Sequence, residues 1–207
     1  MLRTGIARVA ANPMAYELIQ RAVGGRGLDR VLASLIDQYT GGKATGVVAD
    51  VGGGTGRARV LWPRGWTYLC LDSDPAKLNV RHMSEPSDRY LVADATQMPL
   101  DDRSCDAVLL KFVSHHLDDG ELGVALKEVR RVLTPRGVLI VVDAVWRPAR
   151  VLSRILWRYD RGSFPRTLAA LREHVAGEFD LIREDEFAAI HAYVAFAGRP
   201  GSGSKAT

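Results

Sequence analysis

The sequence predicts an α/β protein built on a doubly wound parallel sheet. Five short apolar, β-branched runs recur between residues 46 and 145, each nearly continuous, as a strand buried on both faces requires. Helical patterns separate several of them, and strands alternating with helices imply parallel pairing. A chain of 207 residues, 47% apolar and 25% charged, has the size and composition of one globular domain with a full core. The same composition excludes a mostly disordered chain, a collagen-like repeat and a coiled coil.

Taken in order, Tyr16–Val23 and Leu28–Tyr39 are predicted helices laid over the sheet. The predicted strands are Gly46–Val51, Thr67–Leu71, Tyr90–Ala93, Ala107–Phe112 and Val138–Val145. Pro75–Met83 reads as a helix with Asp74 as N-cap and Pro75 at its first position. Asp119–Leu133 places Leu122, Leu126, Val129 and Leu133 at helical spacing and is expected to stop at Thr134-Pro135-Arg136-Gly137. Beyond residue 145 the pattern changes. Val151–Tyr159 and Leu168–Ala176 read as helices, and Asp180–His191 and Tyr193–Gly198 as an antiparallel strand pair. Residues 199–207 read as a disordered, linker-like tail. Residues 1–198 are expected to form one domain: a helical cap over 1–45, a ligand-binding core over 46–145, and further helices with the final strand pair over 146–198.

Charge and cysteine content bound the partners loosely. The net charge is +4, and 23 of the 28 basic residues are arginine. That balance permits an anionic partner without requiring one. Cys70 and Cys105 cannot build a disulfide framework or a CxxC motif, so a reducing, cytoplasmic setting is expected. The first twelve residues lack the apolar stretch of a secretory signal. The most apolar run, Gly137–Trp146, is ten residues long and contains Asp143, too short to span a membrane.

The chemistry concentrates at strand ends. Asp50-Val-Gly52-Gly53-Gly54-Thr55-Gly56 follows a strand and opens a helix, where glycine lets backbone approach a ligand and adopt positive φ. Its spacing is not the dinucleotide fingerprint Gly-x-Gly-x-x-Gly, and no Walker lysine follows. Alone, such a run is also what any tight strand-to-helix turn contains. Asp72 lies twenty residues beyond Gly52 at the end of the second strand, where a carboxylate accepts hydrogen bonds from ribose hydroxyls. Asp94 ends the third strand and is placed for an adenine amino group. Together these strand ends point to one nucleoside-like ligand on the C-terminal edge of the sheet.

These residues resemble the motifs of the class I S-adenosylmethionine-dependent methyltransferases, closest to their small-molecule branch. Asp50 to Gly56 resembles that family's first motif, Asp72 its ribose acid and Asp94 its adenine contact. Residues 94–106 resemble its Asp-x-x-x-x-Pro stretch, and residues 126–137 the helix and turn before its fifth strand. The resemblance runs from Val47 to Val145. It implies a Rossmann-like, seven-stranded sheet with the last strand antiparallel, S-adenosylmethionine as cofactor, and a small-molecule acceptor methylated at oxygen or carbon. On that reading Gly52, Gly53, Gly54 and Gly56 shape the methionine-side turn, and Asp50 orients the turn or the amino group. Asp72 and Ser73 hold the ribose, and Asp94 and Ala95 the adenine. Lys111 and Phe112 border the cofactor, and Tyr16 closes over it. The short segment Arg57–Trp66, with Pro63 and Gly65, departs from the pattern and implies a brief helix after the turn.

Methyl transfer needs alignment and a dry site, and a base only when the acceptor loses a proton. His115 and His116, at the exit of the fourth strand, are the candidate bases; a packing-and-loop role is the competing reading. Lys111-Phe112-Val113-Ser114 does not match the Asn/Asp-Pro-Pro-aromatic motif of exocyclic-amine nucleic-acid methyltransferases, and neither cysteine follows a proline as cytosine-C5 chemistry needs. Asp143 is followed by Ala144 rather than asparagine, so a catechol-type metal site is not expected. Between Arg147 and Arg172 lie seven arginines and one acid, Asp160. Arg147, Arg150, Arg154, Arg158 and Arg161 recur at helical steps. They read as a solvated helix face, as recognition of an acidic acceptor, or as an anionic membrane or RNA surface. Arg154, Trp157, Arg158 and Tyr159 are the candidate substrate residues; nucleic acid is not the expected partner. A cofactor-binding regulator without methyl transfer and an RNA methyltransferase are the alternative classes.

Overall fold

The computed structural model describes residues 26–77, 82, 84–148, 157, 164–188 and 191–201. The predicted helix Tyr16–Val23 and most of Pro75–Met83 and Val151–Tyr159 lie outside these residues, as do Tyr16, Arg150, Arg154, Arg158, Tyr159 and Arg161.

The elements in chain order are α1 (Arg26–Thr40), β1 (Gly46–Val51), β2 (Trp66–Asp72), β3 (Arg89–Val92), β4 (Cys105–Lys111), α2 (Asp119–Val132), β5 (Leu133–Val145), α3 (Leu168–Glu178), β6 (Phe179–Ala188) and β7 (Ala192–Pro200). Short 3₁₀ segments, Arg57–Leu61 and Ser114–His116, follow β1 and β4. The strands form one seven-stranded sheet in the order β3-β2-β1-β4-β5-β7-β6. β1 to β5 pair in parallel, and β7 runs antiparallel to both β5 and β6. The strand order reverses between β1 and β4, the switch point where open α/β sheets bind ligands.

Alternation along the central strands loads both faces. Ala49, Val51, Val108, Leu110, Leu139 and Val141 pack with Leu122, Leu126 and Val129 of α2 and Leu171 and Val175 of α3. Val48, Ala107, Leu109, Ile140 and Val142 pack on the other face with Leu28, Leu32, Leu35 and Ile36 of α1. α2 starts with a capping box: Asp118 accepts from the Glu121 N–H at 2.8 Å, and Glu121 accepts from the Asp118 N–H at 2.9 Å.

Several boundaries differ from expectation. α2 ends at Val132, and Thr134–Gly137 is absorbed into β5, whose Leu133 pairs with Cys105 before a register shift to Ala107 and Val138. β4 stops at Lys111 because Phe112 takes φ 61, which a strand cannot continue. The expected tail begins too early: β7 runs on through Arg199 and Pro200, which pair with Asp180 and Phe179. The brief helix after the glycine turn is the 3₁₀ segment Arg57–Leu61, held by Arg59. Arg59 is 2% exposed; its Nε donates to Asp88 Oδ2 at 2.8 Å, and its Nη atoms donate to the carbonyls of Trp62, Pro63, Arg64 and Trp66. Asp88 also accepts from the N–H groups of Tyr68, Ser84 and Glu85. One buried ion pair thus closes the chain around a segment too short to pack as an α-helix.

Candidate active site

The glycine turn is a backbone structure. Gly52 sits at φ 69, and a Cβ there would overlap Val113 Cγ2. At Gly53 a Cβ would lie 2.7 Å from both Asp50 Oδ2 and Cys70 Sγ, so side chains below the turn exclude any larger residue. Gly54 and Gly56 continue it at φ 54 and 72. Main-chain bonds fix the path: Gly53 N–H donates to Leu71 O at 3.0 Å and Gly56 N–H to Gly53 O at 2.9 Å. The Tyr90 hydroxyl donates to Thr55 O at 3.1 Å.

Three carboxylates surround this turn. Asp50 is buried beneath Gly53 and accepts from the Tyr68 hydroxyl. Burial raises its pKa from 3.8 to about 6 against the opposing pull of Tyr68 and Lys111. Asp72, 4% exposed at the end of β2, accepts from Gly54 N–H at 3.1 Å on Oδ2 and from Asp74 N–H at 2.9 Å and Lys77 Nζ at 3.4 Å on Oδ1. A carboxylate has about four acceptor directions, so Asp72 ties turn and strand together with capacity left. Asp94 is exposed just past β3; its Oδ1 accepts from Thr96 N–H and Oγ1 at 2.8 and 2.7 Å. Those bonds hold its carboxyl below the ordinary value. Ser73 is exposed and Ala95 half-buried. The structure therefore brings the glycines, Asp50, Asp72 and Ser73 together and sets Asp94 at the next strand end. Asp74, expected to cap a helix, accepts from Ala76 N–H at 3.0 Å within a turn, and most of that expected helix lies outside the described residues.

Lys111 and Phe112 stand at the switch point. Lys111 Nζ lies 3.6 Å from Asp29 of α1 and 5.9 Å from the Phe112 ring. The Phe112 ring, held by its left-handed backbone, approaches Tyr193 with centroids 5.9 Å apart.

The post-β4 loop separates the two candidate bases. His116 is exposed. His115 is 4% exposed, and its Nδ1 lies 2.5 Å from Oδ1 of Asp143, itself 1% exposed near the end of β5. Asp143 also accepts from the Ser114 hydroxyl and from the His115 and Ala144 N–H groups. Burial pushes the Asp143 carboxyl up, but His115, Ser114 and Ala144 outweigh it and hold it below the usual range. Arg166 closes the loop from outside. Its guanidinium donates to Ser114 O at 2.6 Å, Leu117 O at 2.8 Å and Asp119 at 2.7 Å. Sequence reasoning weighed Asp143 only as a metal ligand and counted Arg166 within the stripe. The signal for Asp143 was a carboxylate inside the most apolar run of the chain; nothing local marked Arg166.

Of the five arginines expected on one helical face, Arg150, Arg154, Arg158 and Arg161 lie outside the described residues, and Arg147 is not on a helix. Arg147 pairs with Glu186; Arg172 pairs with Glu184 at 2.6 Å; Arg166 is buried in the loop clamp. Trp157 is 7% exposed and meets His115 and His191 edge-on with centroids at 5.6 and 5.5 Å. Among the described residues, no group of three or more His, Cys, Asp or Glu is placed to hold a metal ion, and no helix is long and apolar enough to cross a membrane.

The donor set fits an adenosyl ligand: a Cβ-free backbone cradle, a buried carboxylate bonded to it at the next strand end, and an exposed carboxylate one strand further. Residues 49–141 match the methyltransferase domain family. An uncharacterized methyltransferase of Mycobacterium tuberculosis is 33% identical over 140 residues, 61% of this chain and 55% of that protein. The chain thus spans about half the length of the curated relatives it matches. A crystal structure of a Pyrococcus horikoshii protein superposes with a TM-score of 0.67 at 20% identity, covering 85% of this chain and 91% of that one. So does the geranyl diphosphate C-methyltransferase of Streptomyces coelicolor, solved with Mg²⁺, geranyl diphosphate and S-adenosyl-L-homocysteine: TM-score 0.67, 14% identity, 85% and 82% covered. Residues 49–141 thus carry a match to the methyltransferase domain family, and the seven-stranded order with its antiparallel β7 is the class I methyltransferase fold.

Proposed function

We propose that the protein transfers a methyl group from S-adenosylmethionine to a small-molecule acceptor, at oxygen or carbon. The observation that carries this reading is the glycine turn at the switch point, its Gly54 N–H bonded to Asp72. When bound, S-adenosylmethionine supplies a methyl carbon already activated by the sulfonium, which leaves as a neutral thioether. The chain's own task is alignment and exclusion of water. Gly52, Gly53, Gly54 and Gly56 give the methionine side a surface of bare backbone, and Asp50 supports it from below. Asp72 and Ser73 take the ribose, and Asp94 and Ala95 the adenine. Lys111 and Phe112 border the methyl-donor end, between cofactor and acceptor. His115 takes the acceptor's proton where one must be lost. Its Nδ1 is committed to Asp143, so the exchange falls to Nε2. Asp143 and Arg166 act as positioning residues by fixing the loop that carries it.

Calorimetry with S-adenosylhomocysteine tests the assignment. The wild-type chain is expected to bind it, and Asp72→Ala to weaken binding by more than about 1 kcal/mol, the loss of charged hydrogen bonds. An unchanged dissociation constant removes Asp72 from the site.

A further inference from the structure

We propose that the acceptor is an uncharged molecule with a flat apolar body and an oxygen that accepts a hydrogen bond, seated at the β5–β7 end of the sheet edge with its oxygen on the Trp157 indole N–H. This rests on the methyl-transfer reading and names its acceptor class.

The first observation is charge. Of the seven arginines between Arg147 and Arg172, the three among the described residues are already committed. Arg147 pairs with Glu186, Arg172 with Glu184, and Arg166 with Asp119 while buried. An acidic acceptor would have to compete with a carboxylate of the chain for each of these three. The fork geometry that suits arginine to carboxylates is here spent internally.

The second observation is what lies at the edge instead. Ala144 and Tyr193, paired across β5 and β7, extend the row Val138, Ile140 and Val142 beyond the core covered by α1. Trp157 joins them, and the half-buried rings of Phe112, Trp146 and Phe187 pack against the group. Phe187 stacks on Tyr193 with an interplanar angle of 16°. Such rings favour apolar or π-rich ligands and offer no fixed charge. Phe112 joins this wall to the cofactor side, since it directly precedes Val113, whose methyl occupies the space above Gly52.

The third observation is a donor without a partner. Trp157 Nε1 is fully buried and has no hydrogen-bond partner among the described residues. A buried donor left unmade costs about 1–3 kcal/mol, so a site that keeps one gains when a ligand supplies the acceptor. The Trp62 indole N–H is also unpaired, but it lies within the core against Trp66, away from the switch point. Trp157 differs in meeting His115 edge-on, with ring centroids 5.6 Å apart, at the same sheet edge as the candidate base.

The test uses the full chain saturated with S-adenosylhomocysteine, with 2-naphthol and 2-naphthoate as probes. Calorimetry is expected to give at least about tenfold tighter binding of the neutral naphthol, because naphthoate must bury an unpaired charge. Trp157→Phe, which keeps a ring and removes the N–H, is expected to lose that affinity about tenfold while S-adenosylhomocysteine binds as before. In the unmodified protein, the indole N–H resonance missing from Trp157→Phe is expected to shift on adding 2-naphthol. Equal or tighter binding of 2-naphthoate, no binding of 2-naphthol, or an indole resonance indifferent to it overturns the proposal. Failure of the wild-type chain to bind S-adenosylhomocysteine overturns the cofactor reading instead.

Discussion

On the β1–β3 side of the switch point, the C-terminal edge of the sheet is held by backbone. Gly53 and Gly56 bond to main-chain carbonyls, and Asp72 and Asp94 accept from N–H groups within a few residues or one strand away. On the β4–β7 side it is held by side chains that meet across long stretches of sequence. His115 meets Asp143, and Arg166 reaches back to Ser114, Leu117 and Asp119. The difference has a functional logic. A backbone cradle tolerates few substitutions and presents one surface, which suits an invariant cofactor. A side-chain frame can be rebuilt residue by residue, which suits an acceptor that differs between enzymes.

The sharpest way to break the comparison is to remove a side chain on which the backbone side depends. Arg59→Met leaves Asp88 buried without its cation, and chemical denaturation is expected to show a loss of about 3–5 kcal/mol. A near-neutral result would show the turn to be self-supporting. Next in size is Asp50. Its folded pKa of about 6 exceeds the ordinary 3.8, so between these values the folded state binds more protons than the unfolded state. Its contribution to stability is therefore greatest below about pH 4 and falls as pH rises to about 6, by about 3 kcal/mol at 1.36 kcal/mol per unit. Asp143 on the acceptor side has the opposite sign: its pKa is depressed, so its contribution is lost as pH falls below the ordinary carboxylate range. Unfolding free energies measured across the carboxylate titration range, about pH 3 to 7, are expected to lose the fall above about pH 4 in Asp50→Asn. Persistence of that fall assigns it to another group. The smallest effect separates the two histidines. Once an acceptor is in hand, His115→Ala is expected to cut turnover about a hundredfold, equal to about 2.7 kcal/mol of barrier, with cofactor affinity kept. His116→Ala is expected to leave turnover nearly unchanged; equal losses would return both to a packing role.

The same contrast decides what could be read in the sequence. The parallel strands, the antiparallel final pair, the glycine turn and the carboxylates at residues 72 and 94 were legible because each is a local pattern. Alternation marks a buried strand, and glycines mark a turn that excludes Cβ atoms. The frame around His115 was not legible, because Asp143 lies 28 residues away and Arg166 lies 52 residues from Ser114. Arg147 was misplaced on a helical stripe because three- and four-residue spacing does not by itself make a helix; its partner Glu186 lies across the sheet edge on β6. The end of β7 was missed for the opposite reason. Pro200 and Gly201 look like the start of a linker, yet ladder partners on β6 carry Arg199 and Pro200 into the sheet.

The place of β7 also dictates when this sheet can close. It is the last of the described strands in sequence but the penultimate strand of the sheet, inserted between β5 and β6. During synthesis, β6 emerges before the strand that will join it to the rest. Until β7 is released, the long apolar β5 presents an open edge with its N–H and C=O groups unpaired. Such an edge is a template for pairing with other chains. A chain cut off before Ala192 would therefore lose more than one strand: β6 would have nothing to pair with, and the core would be left with a sticky seam.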